Sequence, residues 1–554
     1  MSLIDHTRTT RGGRMLLCCL LGLSCAVALA LALAGMPGRA AAATHVAPVF
    51  DPASLSGPLG TVVNEFKLTN PAPLTYGLFG SAVAISGDTA LVTCHNQTVD
   101  GIDFVGAVYV YVRNGSTWTK QAELDEPDGA TSDYFGTSVA ISGNTAVAGA
   151  PGRTVDGKTG AGAVYVFTRT GTTWGTPTEL TATDAAAADQ LGWSVAVSGG
   201  TVVAGAYNKM VGGSQEGAAY VFTGSGSTWS QQQKLTPTDP ANTSALGVSV
   251  AVSGDTALIG SMDSQVSVAG GATQHGGAFI FTRSGTTWSQ QAELIESAAD
   301  YNGPDRFGWT VALDGGTAVV GASYKTVSGS VYAGAAYIFT GAGGSWSEQA
   351  QVLAPYAAQG NDFGNAVAVS GGEALIGAVG MSAPDQSSNG VGAAFLFTRS
   401  GSTWSQPLAI RASDFAGNDA FGCAVGVSGT LAVIGADTKK VDTLNDAGAA
   451  YAEQLPGAPT PAVSLKASAH KVKTGKKLTL SGAVKNYDSS ARSVVIERKT
   501  KAKLVPLKSV ACTKNGAFKW VWKAGKAGNW VFLAVYKLNG TAYPSKTITV
   551  AVHR

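Results

Sequence analysis

The sequence predicts an all-β protein, with a seven-bladed β-propeller followed by a small β-sandwich. Three observations lead to this prediction. One sequence unit recurs seven times between positions 63 and 455, at steps of 55 to 61 residues. Each copy consists of short β-rich runs separated by turns. The chain has 72 glycines and only 13% charged residues, a composition typical of a turn-rich β protein rather than a helical one.

The first 43 residues read as an export signal. Arg8, Arg11 and Arg14 precede an apolar run from Met15 to Ala34, and small residues follow at 40–43. We expect cleavage near Ala43, although a run of about twenty apolar residues is also long enough for an uncleaved anchor. After signal removal no membrane span remains, so we expect a secreted or cell-surface protein. Residues 44–62 are predicted to be a linker.

Each repeat contains four strand-like runs. In the second copy, Ser138–Ser142 leads into a Gly-Asn turn, Thr145–Ala150 returns, and a polar loop of about ten residues precedes Ala163–Thr168. A fourth run passes through Trp174 toward Leu180. A four-stranded antiparallel sheet of this length cannot bury both faces alone, so copies must pack on one another, as the blades of a propeller do.

The two ends of the repeat array complement each other. The seventh copy has no Trp-containing fourth run before the Pro/Gly linker at 456–461, whereas Val63–Leu68 stands alone ahead of the first copy and matches a fourth run. We therefore expect the N-terminal strand to complete the last blade of a ring that spans 63–455. An open solenoid would instead need polar caps at its ends.

The repeat resembles the FG-GAP repeat of the integrin α-subunit head and of many secreted bacterial proteins. Phe135-Gly136 and Gly149-Ala150-Pro151 match the two halves of that name. The resemblance implies a seven-bladed propeller and an extracellular recognition or adhesion role. Many such repeats carry a calcium loop rich in Asp, but here the corresponding turns, such as Ser142–Thr145, offer at most one carboxylate each. The family's calcium sites therefore do not carry over, and no cofactor is expected.

After the linker, residues 462–554 change in pattern and charge. Alternating runs such as Ala517–Trp522 and Trp530–Tyr536 predict a small immunoglobulin-like β-sandwich, although the Cys-Trp-Cys core of immunoglobulins is absent. This segment has 19 basic and 2 acidic residues, a net charge of +17, whereas 44–461 has 15 against 33, a net charge of −18. Such asymmetry indicates two domains with different surroundings or partners.

Two runs of basic residues in this domain are candidates for polyanion contact: Lys471, Lys473, Lys476, Lys477, Arg498, Lys499, Lys501 and Lys503. Wall polymers, anionic lipid and nucleic acid are all physically suitable partners. Export favours anionic envelope polymers and makes nucleic acid an unlikely partner. A plain solvated basic surface and docking on the chain's own acidic repeat region remain open.

The long loops of the repeats are predicted to share one face of the ring, which is the candidate ligand face. Aspartates recur there two residues before the Phe/Leu-Gly pair, and they are Asp133, Asp189, Asp305 and Asp419, with Asp362 one residue before it. One interpretation is a carboxylate ring that binds a cation, an amine or a basic partner. The other is capping of turns, which periodic recurrence favours. Further candidates on this face are His95 and His275 in loops, and Trp193 and Trp309 near the axis.

No catalytic signature accompanies these residues. The sequence has no Gly-x-Ser-x-Gly elbow, no His-Glu-x-x-His and no phosphate-binding Gly-Lys-Ser/Thr. We therefore expect a non-enzymatic binding or adhesion protein with an unknown extracellular protein or glycan ligand. The alternative is a hydrolase or lyase that acts on polysaccharide through loop-face carboxylates. Cys94 and Cys423 are interpreted as buried apolar side chains, with a bridge between them as the alternative.

Overall fold

A computed structural model describes residues 65–238, 244–267, 273–297, 303–383, 388–405, 407–455, 462–485, 493–499, 504–513, 517–524, 527–538 and 541–553. These residues form strands, turns and loops and contain no helix, so the prediction of an all-β protein is confirmed. In particular, no described segment is a helix of the length and apolar character needed to cross a bilayer. The predicted signal at 1–43, the linkers at 44–62 and 456–461, and residues 63 and 64 lie outside the described residues.

The repeat region is a succession of short strands. In chain order they are β1 (Glu65–Leu68), β2 (Val83–Ser86), β3 (Thr89–Cys94), β4 (Ala107–Asn114), β5 (Thr117–Leu124), β6 (Ser138–Ser142), β7 (Thr145–Ala150), β8 (Ala163–Thr170), β9 (Thr173–Trp174), β10 (Thr178–Leu180), β11 (Ser194–Ser198), β12 (Thr201–Ala206), β13 (Met210–Val211), β14 (Ser214–Gln215), β15 (Ala218–Ser225), β16 (Thr228–Leu235), β17 (Leu246–Ser253), β18 (Thr256–Ser267), β19 (Thr273–Ser284), β20 (Thr287–Leu294), β21 (Thr310–Asp314), β22 (Thr317–Ala322), β23 (Ala335–Ala342), β24 (Ser345–Val352), β25 (Phe363–Ser370), β26 (Glu373–Ala378), β27 (Ala393–Ser400), β28 (Thr403–Trp404), β29 (Leu408–Ile410), β30 (Val425–Ser428), β31 (Leu431–Ala436) and β32 (Ala449–Gln454).

Within the described part of 65–455, these strands form seven antiparallel sheets and one small hairpin, β13–β14. We number the sheets by repeat: sheet 1 (β2–β5), sheet 2 (β6–β10), sheet 3 (β11, β12, β15, β16), sheet 4 (β17–β20), sheet 5 (β21–β24), sheet 6 (β25–β29) and sheet 7 (β30, β31, β32 and β1). The architecture of repeated four-stranded units is consistent with a β-propeller.

Neighbouring sheets are joined through their first strands. The first strand of each sheet contacts that of the next, and β30 of sheet 7 contacts β2 of sheet 1. One kind of hydrogen bond repeats at these contacts: a turn glycine N–H after one first strand donates to the side chain that ends the first strand of the preceding sheet. The pairs are Gly143 to Ser86, Gly199 to Ser142, Gly254 to Ser198, Gly315 to Ser253, Gly371 to Asp314, Gly429 to Ser370, and Gly87 to Ser428.

Strand β1 is the fourth strand of sheet 7. It pairs antiparallel with β32, with Phe66 opposite Ala452 and Leu68 opposite Ala450. Leu68 is buried with residues of sheets 1 and 7 in one apolar cluster. The first and last parts of the repeat region therefore meet in a single sheet.

The core lies between adjacent sheets and uses recurring aromatic residues, although two repeats open with Leu191 and Leu246 in place of Phe. The Phe that opens a repeat is fully buried and contacts an aromatic ring on the third strand, with centroid distances of 5.6 Å for Phe135–Tyr165 and 5.3 Å for Phe307–Tyr337. In three repeats the Trp of the fourth strand donates a hydrogen bond to the preceding sheet, as Trp174 does to Gln121 at 3.1 Å. Trp229 and Trp346 instead donate to a backbone carbonyl of their own hairpin. These aromatic residues therefore connect sheets, which is the role that their period predicts.

Beyond the linker, the strands are β33 (Ala462–Val463), β34 (Lys466–Ala467), β35 (Lys471–Lys473), β36 (Lys477–Lys485), β37 (Ser493–Lys499), β38 (Leu504–Ala511), β39 (Ala517–Lys523), β40 (Gly528–Leu538), β41 (Thr541–Pro544) and β42 (Ile548–His553). One sheet contains β33, β34, β36 and β39, and the other contains β35, β42, β40, β37, β38 and β41. Leu480, Ile496, Phe532 and Val550 from both sheets are fully buried in one core.

Candidate functional site

The long connections of the repeat region lie side by side at one edge of the sheets. Each sheet has a two-to-three loop between its second and third strands, and a four-to-one connection leads from its fourth strand to the first strand of the next sheet. In six repeats the end of the four-to-one connection forms a backbone bridge with the end of the two-to-three loop of the preceding sheet. Parallel bridges of this kind join Gly162 to Leu191, Gly217 to Leu246, Gly276 to Phe307, Gly334 to Phe363, Gly392 to Phe421, and Phe79 to Gly448. We call the surface formed by these connections the loop face. The opposite edge carries the short Gly-containing turns of the hairpins.

The loop face contains every described non-glycine residue with a positive φ angle. The residue just before the Phe/Leu-Gly pair has such a φ, between 52° and 59°, in all seven repeats: Leu78, Tyr134, Gln190, Ala245, Arg306, Asp362 and Ala420. The glycine of the Phe/Leu-Gly pair also has a positive φ. A Cβ atom at Gly136 would lie in close contact with backbone and side-chain atoms of sheet 1. This pair of left-handed residues fixes the path by which the chain enters each first strand.

The predicted aspartates that lie two residues before the Phe/Leu-Gly pair are buried and ion-paired. Asp189 is 3% exposed, and its Oδ2 accepts a hydrogen bond from Lys209 Nζ at 2.8 Å. Asp305 pairs with Lys325 at 3.0 Å, and Asp419 pairs in the same way with a buried lysine. The full set is Asp133 with Arg153, Asp189 with Lys209, Asp305 with Lys325, and Asp419 with Lys439. These four carboxylates therefore face the interior rather than a ligand on the surface.

The same carboxylates also close a turn. Asp133, Asp189 and Asp419 each accept a hydrogen bond from the backbone N–H three residues earlier, at 2.6 to 2.8 Å. The paired cation always follows the aspartate by twenty residues. In the other repeats neutral residues occupy both positions: Asn361 and Met381, Gly77 and Gln97, and Ser244 and Ser264. Charge is thus present at both positions or at neither, as an internal structural pair requires.

A third group joins the cation in several sheets. In sheet 5, Lys325 also contacts Glu296, and the hydroxyl of Tyr337 donates to Glu296 at 2.7 Å. In sheet 7, Tyr451 donates to Asp414 at 2.6 Å, and Asp414 lies 3.4 Å from Lys439. Burial and the neighbouring Asp305 raise the pKa of Glu296. These networks pair buried charges, but one carboxylate oxygen of Glu296 and one of Asp305 have no hydrogen-bond partner among the described residues.

Asp362 differs from the other predicted aspartates. It is half-buried, and burial raises its pKa to about 6, although the positive charge of Arg306 opposes the shift. The guanidinium of Arg306 lies 4.0 Å from the ring centre of Tyr324 and 5.2 Å from that of Trp309. The predicted residues Asp362 and Trp309 are therefore linked to one arginine that stacks on two aromatic rings.

Two further predicted residues lie next to the ends of strands, His95 directly after β3 and Trp193 directly before β11. His95 is half-buried, with Nδ1 at 2.7 Å from Ser81 Oγ, and burial lowers its pKa to about 4, so its ring is neutral at pH 7. Trp193 packs on Tyr207 with a centroid distance of 4.6 Å. His275, which was predicted to lie in a loop, lies instead in strand β19, opposite Gln265, because the hairpin of sheet 4 continues further than in the other repeats.

Exposed large apolar side chains are concentrated on the loop face. In the described part of the repeat region, all such residues lie in two-to-three or four-to-one connections: Tyr76, Ile102, Phe104, Met210, Val331, Tyr332, Tyr356 and Phe415. Three of the aromatic residues, Tyr76, Phe104 and Tyr332, also have positive φ. At the position of Phe104, sheet 2 has Gly160 with a similar φ of 65°. These residues could not be predicted from the sequence, because single aromatic residues in variable loops have no period.

The basic candidates of the C-terminal domain separate into different environments. Lys471, Lys473, Lys476, Lys477 and Lys499 are exposed. Arg498 instead lies over the ring of Trp530, with its guanidinium carbon 3.8 Å from the centroid. Lys501 and Lys503 lie outside the described residues.

No group of three or more His, Cys, Asp or Glu side chains within the described ranges has the arrangement of a metal site. The turns that correspond to the family's calcium loops sit at the hairpin edge, where Asp88 and Asp255 each pair with an arginine. Those two carboxylates are thus engaged by Arg113 and Arg283 rather than grouped around a cation.

Comparison with known families gives one match. The family model described as FG-GAP repeat matches six segments, which together cover just over half of the chain: 118–167, 174–222, 229–281, 288–339, 346–397 and 404–452. Each match begins at the repeating Trp of one sheet and ends in the third strand of the next. No curated protein matches the chain significantly.

Proposed function

The chain belongs to the FG-GAP repeat family, and on that premise we propose that it is a secreted or cell-surface binding protein without enzymatic activity. Its seven sheets are the blades of a closed propeller similar to that of integrin α-subunits, with β1 as the closing strand. The loop face binds an extracellular protein or glycan in an adhesive role. The immunoglobulin-like domain at 462–554 tethers the protein through its positive charge.

The observation that carries this proposal is the one-sided distribution of exposed apolar residues. Eight exposed large apolar side chains lie on the loop face, and the described hairpin turns at the opposite edge have none. Exposed Tyr, Phe and Met side chains are the types enriched at the centres of interfaces. A face with several such residues on rigid loops is a common site of recognition.

Backbone strain supports the same face. Phe104 and Tyr332 have φ values of 59° and 56° and are 41% and 45% exposed. A non-glycine residue in this conformation costs about 1 kcal/mol or more, and the equivalent Gly160 avoids that cost. Exposed rings at strained positions are expected where their contacts have a function.

The enzymatic alternative, a polysaccharide hydrolase or lyase, has less support. It needs carboxylates that reach a substrate, whereas Asp133, Asp189, Asp305 and Asp419 are between 1% and 3% exposed and are paired with cations. Asp362 is the remaining predicted carboxylate, and a single half-buried group does not provide an acid and base pair.

The test is binding of the intact chain to an array of glycans and to immobilised extracellular matrix proteins. We expect at least one saturable interaction that is weakened tenfold or more by Phe104→Ser and Tyr332→Ser together. The matched control is Thr172→Ala at the hairpin edge, which should leave the affinity unchanged. Equal affinity of the double variant and the native chain would place the ligand elsewhere. Glycan turnover that is lost on Asp362→Asn would overturn the non-enzymatic assignment.

A further inference from the structure

Four lysines cover the solvent side of one sheet in the C-terminal domain. In β39 the side chains of Phe518 and Trp522 are buried. Lys519, which follows Phe518, and Lys523, which follows Trp522, are exposed. Lys477 of β36 and Lys466 of β34 are exposed on the same side. We call Lys466, Lys477, Lys519 and Lys523 the lysine face.

The strand register places these charges against one another. Lys477 lies directly opposite Lys523, and Ser481, four residues further along β36, is flanked by Lys519 on one side and Lys466 on the other. Like charges directly opposite one another in an antiparallel pair are destabilising. Glu497, the one acidic residue among the described residues of this domain, lies in the other sheet. No described acid within the domain's own sheet compensates for the repulsion.

We propose that the lysine face binds an extended anionic polysaccharide, which is the ligand class of the tethering role in the proposed function. The two lysine groups are four residues apart along the strands, about 13 Å at the usual rise per residue. Thr479 and the 49% exposed Val521 lie between them. A flat strip with charge at both ends suits a linear polymer with repeated acidic groups, whose counterions are released on binding.

The side-chain chemistry distinguishes this partner from nucleic acid. The lysine face has no arginine for bidentate contact with bases or phosphates. Its neighbouring aromatic residues, Phe518, Trp520 and Trp522, alternate toward the interior, so no ring is presented for base stacking. Lysine ammonium groups instead act as point charges, which carboxylates or sulfates on a sugar chain satisfy equally well.

The experiment measures the affinity of the intact chain for heparin and for polygalacturonate over a range of salt concentrations. The test variant is Lys477→Gln with Lys523→Gln. The matched control is Lys508→Gln with Lys546→Gln, which removes the same charge from exposed positions outside the lysine face. We expect the affinity of the test variant to be about tenfold lower. The slope of log Kd against log salt concentration should decrease by about two. The control should change by less than twofold. Lys477→Arg with Lys523→Arg should retain binding.

Thermal unfolding supplies an independent measurement, because removal of a repulsive pair should leave the midpoint of the test variant equal or higher. Equal losses of affinity in the test and control variants would overturn the proposal in favour of diffuse charge. Tighter binding to a DNA duplex or to phosphatidylglycerol vesicles than to either polysaccharide, lost in the same variant, would also overturn it. Phe104→Ser should not affect heparin binding, so failure of the loop-face proposal and failure of the lysine-face proposal are distinguishable.

Discussion

Glu453 of β32 lies directly opposite Glu65 of β1 in the sheet where the two ends of the repeat region meet. Glu453 is 1% exposed, and in the described part of the chain neither of its carboxyl oxygens has a hydrogen-bond partner. Glu65 accepts hydrogen bonds from the N–H and hydroxyl of Ser413, at 2.7 and 2.6 Å. In the other six sheets the position of Glu453 is aromatic: Tyr111, Phe167, Phe222, Phe281, Phe339 and Phe397.

This pair predicts that the junction weakens as pH rises. Burial, followed by the charge of Glu65, raises the pKa of Glu453 to about 8. The unfolded chain loses this proton near the ordinary glutamate pKa of about 4.3, whereas the folded chain keeps it up to about pH 8. The unfolded state therefore binds fewer protons between these values, and stability falls with pH in that window. Glu453→Gln should remove this loss, with no effect near pH 4 and stabilisation on the order of a few kcal/mol at pH 8.

Urea unfolding of the native chain and of Glu453→Gln from pH 4 to pH 9 measures this difference. The matched control is Glu123→Gln, at an exposed position in β5, which should give a difference that is small and independent of pH. A stability difference between Glu453→Gln and the native chain that does not grow with pH would show that Glu453 is ionised or paired in the folded state.

The buried charge pairs predict a specific pattern of destabilisation and rescue. Lys325→Met leaves Asp305 in the core without its cation, and breaking a buried pair in this way costs about 3–5 kcal/mol. Adding Asp305→Asn reproduces the Asn361 and Met381 combination of sheet 6 and should recover part of the loss, because Glu296, the other acid that pairs with Lys325, stays buried without its cation. Denaturant midpoints of the single and double variants check this expectation. A double variant as unstable as the single one would mean that the pair does not act as a unit.

The prediction of an all-β repeat protein rests on a local, periodic signal, because the strand and turn pattern recurs in every repeat. The environment of the aspartates was missed although a signal existed: Asp189 and Lys209 are twenty residues apart, and the three other repeats with an aspartate at this position have a cation at the same spacing. A periodic acid suggests a turn or a surface ring, and only its covariation with a cation indicates burial.

The lysine face could not be predicted from the sequence. Lys477 and Lys523 are separated by forty-six residues, and their contact depends on which strands pair and in which register. A shift of one residue would turn Lys519 and Lys523 inward. The alternation of Lys with Phe and Trp in β39 identifies the exposed side of that strand, but not its partner.

Strain at the loop face leads to a prediction about Phe104. Phe104→Gly and Phe104→Ala both remove the ring and its contact with Tyr134, at a centroid distance of 6.1 Å. They differ in the cost of a φ of 59°, which glycine tolerates and alanine does not. We expect the glycine variant to be more stable than the alanine variant by about 1 kcal/mol. Thermal unfolding measures the difference, and the reverse order would show that the strand entry relaxes when the ring is removed.

We predict that Cys94 and Cys423 remain free thiols and form no disulfide with each other. All three described cysteines are free, and the Sγ of Cys94 donates a hydrogen bond to the carbonyl oxygen of Gly77 at 3.0 Å. Burial raises the pKa of Cys94 to about 12, so almost no thiolate is present at pH 8. We expect Cys94 to resist a disulfide reagent in the native chain and to react fully in denaturant. Cys512→Ser serves as the control that identifies the more accessible thiol, and a cross-linked peptide containing Cys94 and Cys423 after mild oxidation would contradict the prediction.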